Sequence, residues 1–85
     1  MNLAWTRRFQ KDMERLPEAL QRLALSKLDV LASNLSHPSL RVKRVRSFPG
    51  RYEGSINMQY RFTFEIEDDT IMLLRIGPHK ILDEA

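Results

Sequence analysis

Hydrophobic positions recur first with a helical and then with a strand period along this chain. After a short mixed opening, "NLAW", which has room for a brief strand at residues 2 to 5, Thr6 is placed to cap a helix by accepting a hydrogen bond from an early backbone N–H. Phe9, Met13 and Leu16 then fall on one face of "RRFQKDMERL". Pro17 interrupts that helix or opens the next one, where its missing N–H costs little in the first turn. From Glu18 to about Leu35 a second stripe follows, made of Leu20, Leu23, Ala24, Leu28, Leu31 and Leu35, with Gln, Arg, Lys and Asp between. Two amphipathic helices with a short joint predict a helical hairpin, which has to bury its stripes against another surface.

"SNLSHPSLR" (33 to 41) reads as a loop, with His37 ahead of Pro38 where helical geometry is disfavoured. Beyond it the period drops to two. "RVKRVRSF" is strand-like with imperfect alternation, as expected for a bulge or an exposed edge, and "PG" at 49 and 50 marks a turn. "RYEGSIN" and "MQYRFTFEIE" alternate cleanly, with Met58, Tyr60, Phe62, Phe64 and Ile66 on one face and Gln59, Arg61, Thr63 and Glu65 on the other. "DDT" is the next turn and "IMLLRIG" the last strand. A three-residue loop of Asp68, Asp69 and Thr70 pairs Glu67 with Ile71, Phe64 with Leu74 and Phe62 with Ile76; it sets Thr63 opposite Arg75 and Arg61 near Gly77. Arg61, Arg75 and the backbone leading to His79 then gather at one corner of the outer face. The expected fold class is α+β: an N-terminal helical hairpin on one face of an antiparallel sheet of about four strands, with the other face basic and open. Residues 1–85 are expected to form a single domain, since the chain is short and no stretch resembles a linker.

Charge sharpens this picture. Of the net +3, the stretch from His37 to Arg61 carries +5, from Arg41, Lys43, Arg44, Arg46, Arg51 and Arg61 against Glu53, leaving −2 for the rest. A concentrated basic segment on a small domain is what a polyanion selects, because each neutralised phosphate releases counterions. The plainer reading is a solvated strand edge. The absence of cysteine excludes disulfides, thiolate chemistry and Cys-based zinc sites. No apolar segment follows the N-terminal charges and none approaches the roughly 18 residues of a membrane span, so a cytoplasmic protein without membrane association is expected.

These residues suit one chemistry. RNA cleaves itself when its 2′-hydroxyl loses a proton, the in-line phosphorane is neutralised and the 5′-oxygen is protonated; no metal is obligatory. Histidine is the side chain that exchanges protons near neutral pH, so His79, in "RIGPHK", can supply or accept one. Arg61 and Arg75 stay charged and fork onto phosphate oxygens. Arg41, Lys43, Arg44, Arg46 and Arg51 are the candidates for holding the RNA backbone, and Glu53 is a base or merely holds an arginine. Taken singly these signals are weak: a histidine after a strand is commonly a surface or hydrogen-bonded residue, and His37 before proline needs no special explanation. Two histidines without a carboxylate cluster argue against a metal site, and no cofactor is expected.

"HPSLRVKRVRS", "YEGSI", "YRFTFEIEDDTI" and "IGPH", in this order, resemble the RelE/ParE superfamily of bacterial toxins from type II toxin-antitoxin pairs, and within it the RelE/YafQ-like ribonucleases. The similarity covers nearly the whole chain, including the "LP" joint of the hairpin. It implies a RelE-like fold and metal-independent cleavage of mRNA in the A site of the 30S ribosomal subunit. It also implies inhibition by a cognate antitoxin that wraps the toxin, with operator DNA reached only through the antitoxin complex. By position, Arg61 matches the phosphate-stabilising arginine, His79 the histidine acting as acid or base, and Lys43, Arg44 and Arg46 the RNA-facing strand. Two positions depart from the pattern: Ser55 stands where many relatives carry a cation, and no aromatic residue follows Phe64. Two alternatives stand beside the nuclease: a ParE-like inhibitor of DNA gyrase, and an inactive homologue acting only as an antitoxin-binding partner.

Overall fold

The computed structural model describes residues 1–84, with side chains to Ile81. Its elements are β1 (Asn2–Trp5), α1 (Arg7–Arg15), α2 (Glu18–Ser33), a 3-10 turn (Pro38–Leu40), β2 (Lys43–Arg44), β3 (Arg51–Ser55), β4 (Tyr60–Glu67), β5 (Thr70–Pro78) and a second 3-10 turn (His79–Glu84). The helices pack on one face of a sheet ordered β1-β5-β4-β3-β2. The class is α+β as expected, but the sheet has five strands and is mixed. β1 runs parallel to β5, Asn2 opposite Thr70 and Trp5 opposite Leu73. A parallel neighbour needs a long crossover, and here the helical hairpin and three strands lie between the two partners.

The hairpin forms as its periodicity predicts. Thr6 Oγ1 accepts from Phe9 N at 3.0 Å, capping α1. Pro17 sits at the N-cap of α2 and opens it, while Gln21 Nε2 donates to the carbonyls of Met13 and Leu16 at 3.0 and 3.1 Å, closing the joint over the end of α1. α2 stops at Ser33, short of Leu35. Phe9, Ala24, Leu28 and Leu31 are buried against Phe62, Phe64, Ile71, Leu73 and Ile76. Phe64 stacks between Tyr52 and Phe62, with centroids 5.5 and 5.7 Å away.

The β4–β5 register departs from the expectation and then rejoins it. Only Asp68 and Asp69 form the turn, Asp68 taking a positive φ of 56° that aspartate tolerates, so that Glu67 pairs with Thr70 and Phe64 with Leu73. One residue, Leu74, is then extra, and beyond it Thr63 meets Arg75, Phe62 meets Ile76 and Arg61 meets Gly77. The bulge lets Leu73 and Ile76, of opposite parity, both face the core. Thr6 stabilises it locally: its N–H donates to Leu73 O at 3.0 Å and its hydroxyl to Leu74 O at 3.1 Å.

Three further expectations are corrected. "RVKRVRSF" contributes only the two residues of β2, because Arg41 before it is left-handed (φ 49°) and the Val45–Arg51 turn begins directly after it. Met58 lies in the β3–β4 turn and is 72% exposed rather than on the core face. The outer face is not open at its centre, since Glu53, Ser55 and Thr63 are buried. A Cβ at Gly77, which shares that face with Arg61, would lie 3.0 Å from Ile81, so the C-terminal turn folds back over it.

Candidate functional site

Two rows of side chains cross the outer face where β3, β4 and β5 run together. Lys43, Glu53, Thr63 and Arg75 form one row; Ser55, Arg61 and Gly77 form the next, toward the end of the ladder. Past Gly77, His79 N donates to Gln59 O at 3.0 Å, so the ladder holds through His79 before the chain turns. The backbone thus brings Arg61, Arg75 and the start of the His79 turn to one corner, and His79 itself is exposed.

The cations there differ in what neutralises them. Arg75 Nε and Nη2 donate to Asp12 of α1 at 2.7 and 3.3 Å, and both side chains are largely buried, at 15% and 11% exposure. Asp12 Oδ2 also accepts from Ile76 N at 3.2 Å, taking the place of a strand partner where β1 has ended. Arg75, expected as a phosphate cation, has its charge paired with Asp12, and the pair ties α1 to the sheet. Arg51 Nη2 is 2.9 Å from Glu65 Oε2 and its guanidinium lies 4.5 Å from the centroid of the Phe48 ring, which occupies it in the same way. Glu53 is 7% exposed and 3.6 Å from Lys43 Nζ, so the cation beside it is a lysine rather than the expected arginine.

Arg61 is different. Its Nη1 donates to the carbonyls of Asn57 and Tyr60, neutral acceptors that fix its direction without cancelling its charge. Among the described residues no carboxylate pairs with it. Ser55 lies directly opposite Arg61 and is buried, so the ladder offers Arg61 no second cation from that position. Arg41, Arg44 and Arg46 are exposed along the β2 edge. His37, by contrast, is taken up locally: its Nδ1 accepts from Ser39 N at 3.2 Å and caps the first 3-10 turn.

Away from this corner, β1, α1 and α2 enclose an apolar groove of about 360 Å³ that includes Leu3, Phe9, Met13 and Leu28. At its mouth Trp5 and Leu25 are 56% and 58% exposed. This groove had no counterpart among the expected site residues, although an unpaired Leu25 on the polar side of α2 was its signal in the sequence. No helix among the described residues is long and apolar enough to cross a membrane.

Residues 3–82 match the family model described as the ParE toxin of the type II toxin-antitoxin system parDE. The chain belongs to this family, and with it to the RelE/ParE superfamily of toxins from type II toxin-antitoxin systems. No curated protein matches the chain. Among solved structures, it is similar to a YoeB/ParE toxin from Agrobacterium tumefaciens, at 14% identity and TM-score 0.79, covering 93% of this chain and 99% of that one. It is similar also to the archaeal RelE-RelB complex from Pyrococcus horikoshii, at 20% identity and TM-score 0.75 over 91% and 92%. The E. coli DinJ-YafQ toxin-antitoxin complex matches at 13% identity and TM-score 0.78 over 95% and 94%. These likenesses establish the RelE-like fold.

Proposed function

We propose that the protein is a toxin that cleaves mRNA on the ribosome, by attack of a 2′-hydroxyl on the adjacent phosphate. The observation that carries this reading is Arg61, a directed cation without a carboxylate partner among the described residues, at the end of the same ladder that presents His79. Arg61 stabilises the phosphorane as charge gathers on its equatorial oxygens. His79 exchanges the proton, as acid toward the departing 5′-oxygen or as base toward the 2′-hydroxyl. Arg41, Lys43, Arg44 and Arg46 draw in and orient RNA or ribosomal RNA. Arg75 positions β5 through Asp12, and Glu53 restrains Lys43. A cognate antitoxin is the expected partner: RelE and YafQ were each solved in complex with a second protein, RelB or DinJ, and the exposed Trp5–Leu25 groove gives such a partner apolar surface to cover. A cytoplasmic location follows from the ribosomal target.

Inhibition of gyrase is the second reading, favoured by the match to the ParE model. Expression of Arg61→Ala and His79→Ala in cells without antitoxin separates the two. Both variants fold and no longer arrest growth if the nuclease reading holds. Full toxicity in both, with DNA damage, assigns the chain to gyrase.

A further inference from the structure

A groove of about 450 Å³ lies at the β3–β4 turn, in the size range of roughly 300–1,000 Å³ typical of small-ligand sites. Lys27 of α2 and Arg41 supply its charge, and among the described residues no carboxylate lines it. Neither cation has a carboxylate partner among the described residues. Arg41 holds a left-handed backbone (φ 49°, ψ 46°), where glycine would be unstrained, and its Nη1 reaches to 3.9 Å from Met58 Sδ across the groove. Ile56 and the exposed Met58 give the groove an apolar side, and methionine sulfur packs favourably on flat π-systems. The wall is shared with the candidate site, since Asn57 lines this groove and its carbonyl accepts from Arg61.

From this juxtaposition we infer that the groove is a second nucleotide subsite, in which Lys27 and Arg41 hold a phosphate of single-stranded RNA and Met58 packs on a base. It rests on the reading that RNA passes Arg61, and it adds Lys27, Met58 and a path for the strand leading away from the cleaved bond. Cations with an apolar neighbour suit a nucleotide, whereas an acidic peptide would use the charges and leave Met58 in water.

The test uses the full chain made by cell-free synthesis and a short labelled single-stranded RNA, fully 2′-O-methylated so that it lacks the attacking hydroxyl. Binding is followed by fluorescence anisotropy across a salt series for the wild type, Lys27→Gln/Arg41→Gln and Met58→Ala. The double variant is expected to melt like the wild type, bind more weakly at low salt and show a slope of log affinity against log salt that is shallower by about 0.7, for the one phosphate charge left unneutralised. Met58→Ala weakens binding without changing the slope. An unchanged slope in the double variant overturns the subsite, as does displacement of the RNA by oligoglutamate as readily as by unlabelled RNA, which would mark a site for an acidic protein. RNA binding with the full change of slope, in a chain that cuts no mRNA in cells, sustains the subsite and removes the cleavage reading. Cleavage with an unchanged slope does the reverse.

Discussion

Removing Asp12 tests both the stability and the role assigned to Arg75. Asp12→Ala takes the Asp12 carboxylate from the largely buried Arg75 guanidinium and the acceptor from Ile76 N. Breaking a buried pair by deleting one partner costs about 3–5 kcal/mol, and the two side chains, 15% and 11% exposed, belong to that regime rather than to the surface one. The whole stability of an 85-residue domain is about 4–13 kcal/mol, so the loss is a large share of it. At about 4–8 °C per kcal/mol, the melting temperature should fall by roughly 12–40 °C, read by far-UV circular dichroism with a urea titration alongside. Asp12→Leu/Arg75→Met removes both charges together and should recover to within about 2 kcal/mol of the wild type, the remainder being the orphaned Ile76 N–H. If Arg75 is a fastener, the folded double variant still arrests growth. A cost below about 1 kcal/mol for Asp12→Ala would place the pair among weak surface bridges and refute the reasoning. Loss of arrest in a folded double variant would return Arg75 to the reacting phosphate.

Three other substitutions probe the sheet. Gly54→Ala places a Cβ against Phe62, 2.8 Å from Cε1, and should destabilise by about 1–3 kcal/mol in urea titrations, because the ring is held in the Tyr52–Phe64–Phe62 stack. Among the described residues Thr63 Oγ1 is buried without a hydrogen-bond partner, so Thr63→Val should raise stability by about 1 kcal/mol; a loss would mean that the hydroxyl is satisfied in solution. Thr6→Ala removes both the α1 cap and the donor to the Leu74 bulge, and should cost about 1–2 kcal/mol, with faster amide exchange concentrated at Phe9 and around Leu74.

The features that were legible in the sequence are local ones. Helical spacing of Phe9, Met13 and the leucines foretold the hairpin, Thr6 its cap, and the alternation from Tyr60 to Ile66 the faces of β4. The offset that pairs Thr63 with Arg75 and Arg61 with Gly77 was also readable, though it was reached by way of a longer turn. The actual path, a two-residue turn followed by a bulge at Leu74, depends on Thr6, 68 residues away, to satisfy the extra carbonyl. The Asp12–Arg75 pair spans 63 residues, and nothing in the spacing around either residue announces it. β1 was too short for its four residues to reveal a parallel partner. Burial of Glu53, Ser55 and Thr63 was not visible in the alternation of their strands, and it reversed the expectation of an open basic face. For the candidate site, residue types identified Arg61, Arg75 and His79 as a group, and only the carboxylates in space separated the directed cation from the committed one.

The most direct measurement is a map of new mRNA 5′ ends within minutes of inducing the chain alone, beside Arg61→Ala and His79→Ala. Cuts within translated codons that disappear in both variants are the predicted result. Intact mRNA during full growth arrest by the wild-type chain would contradict the account.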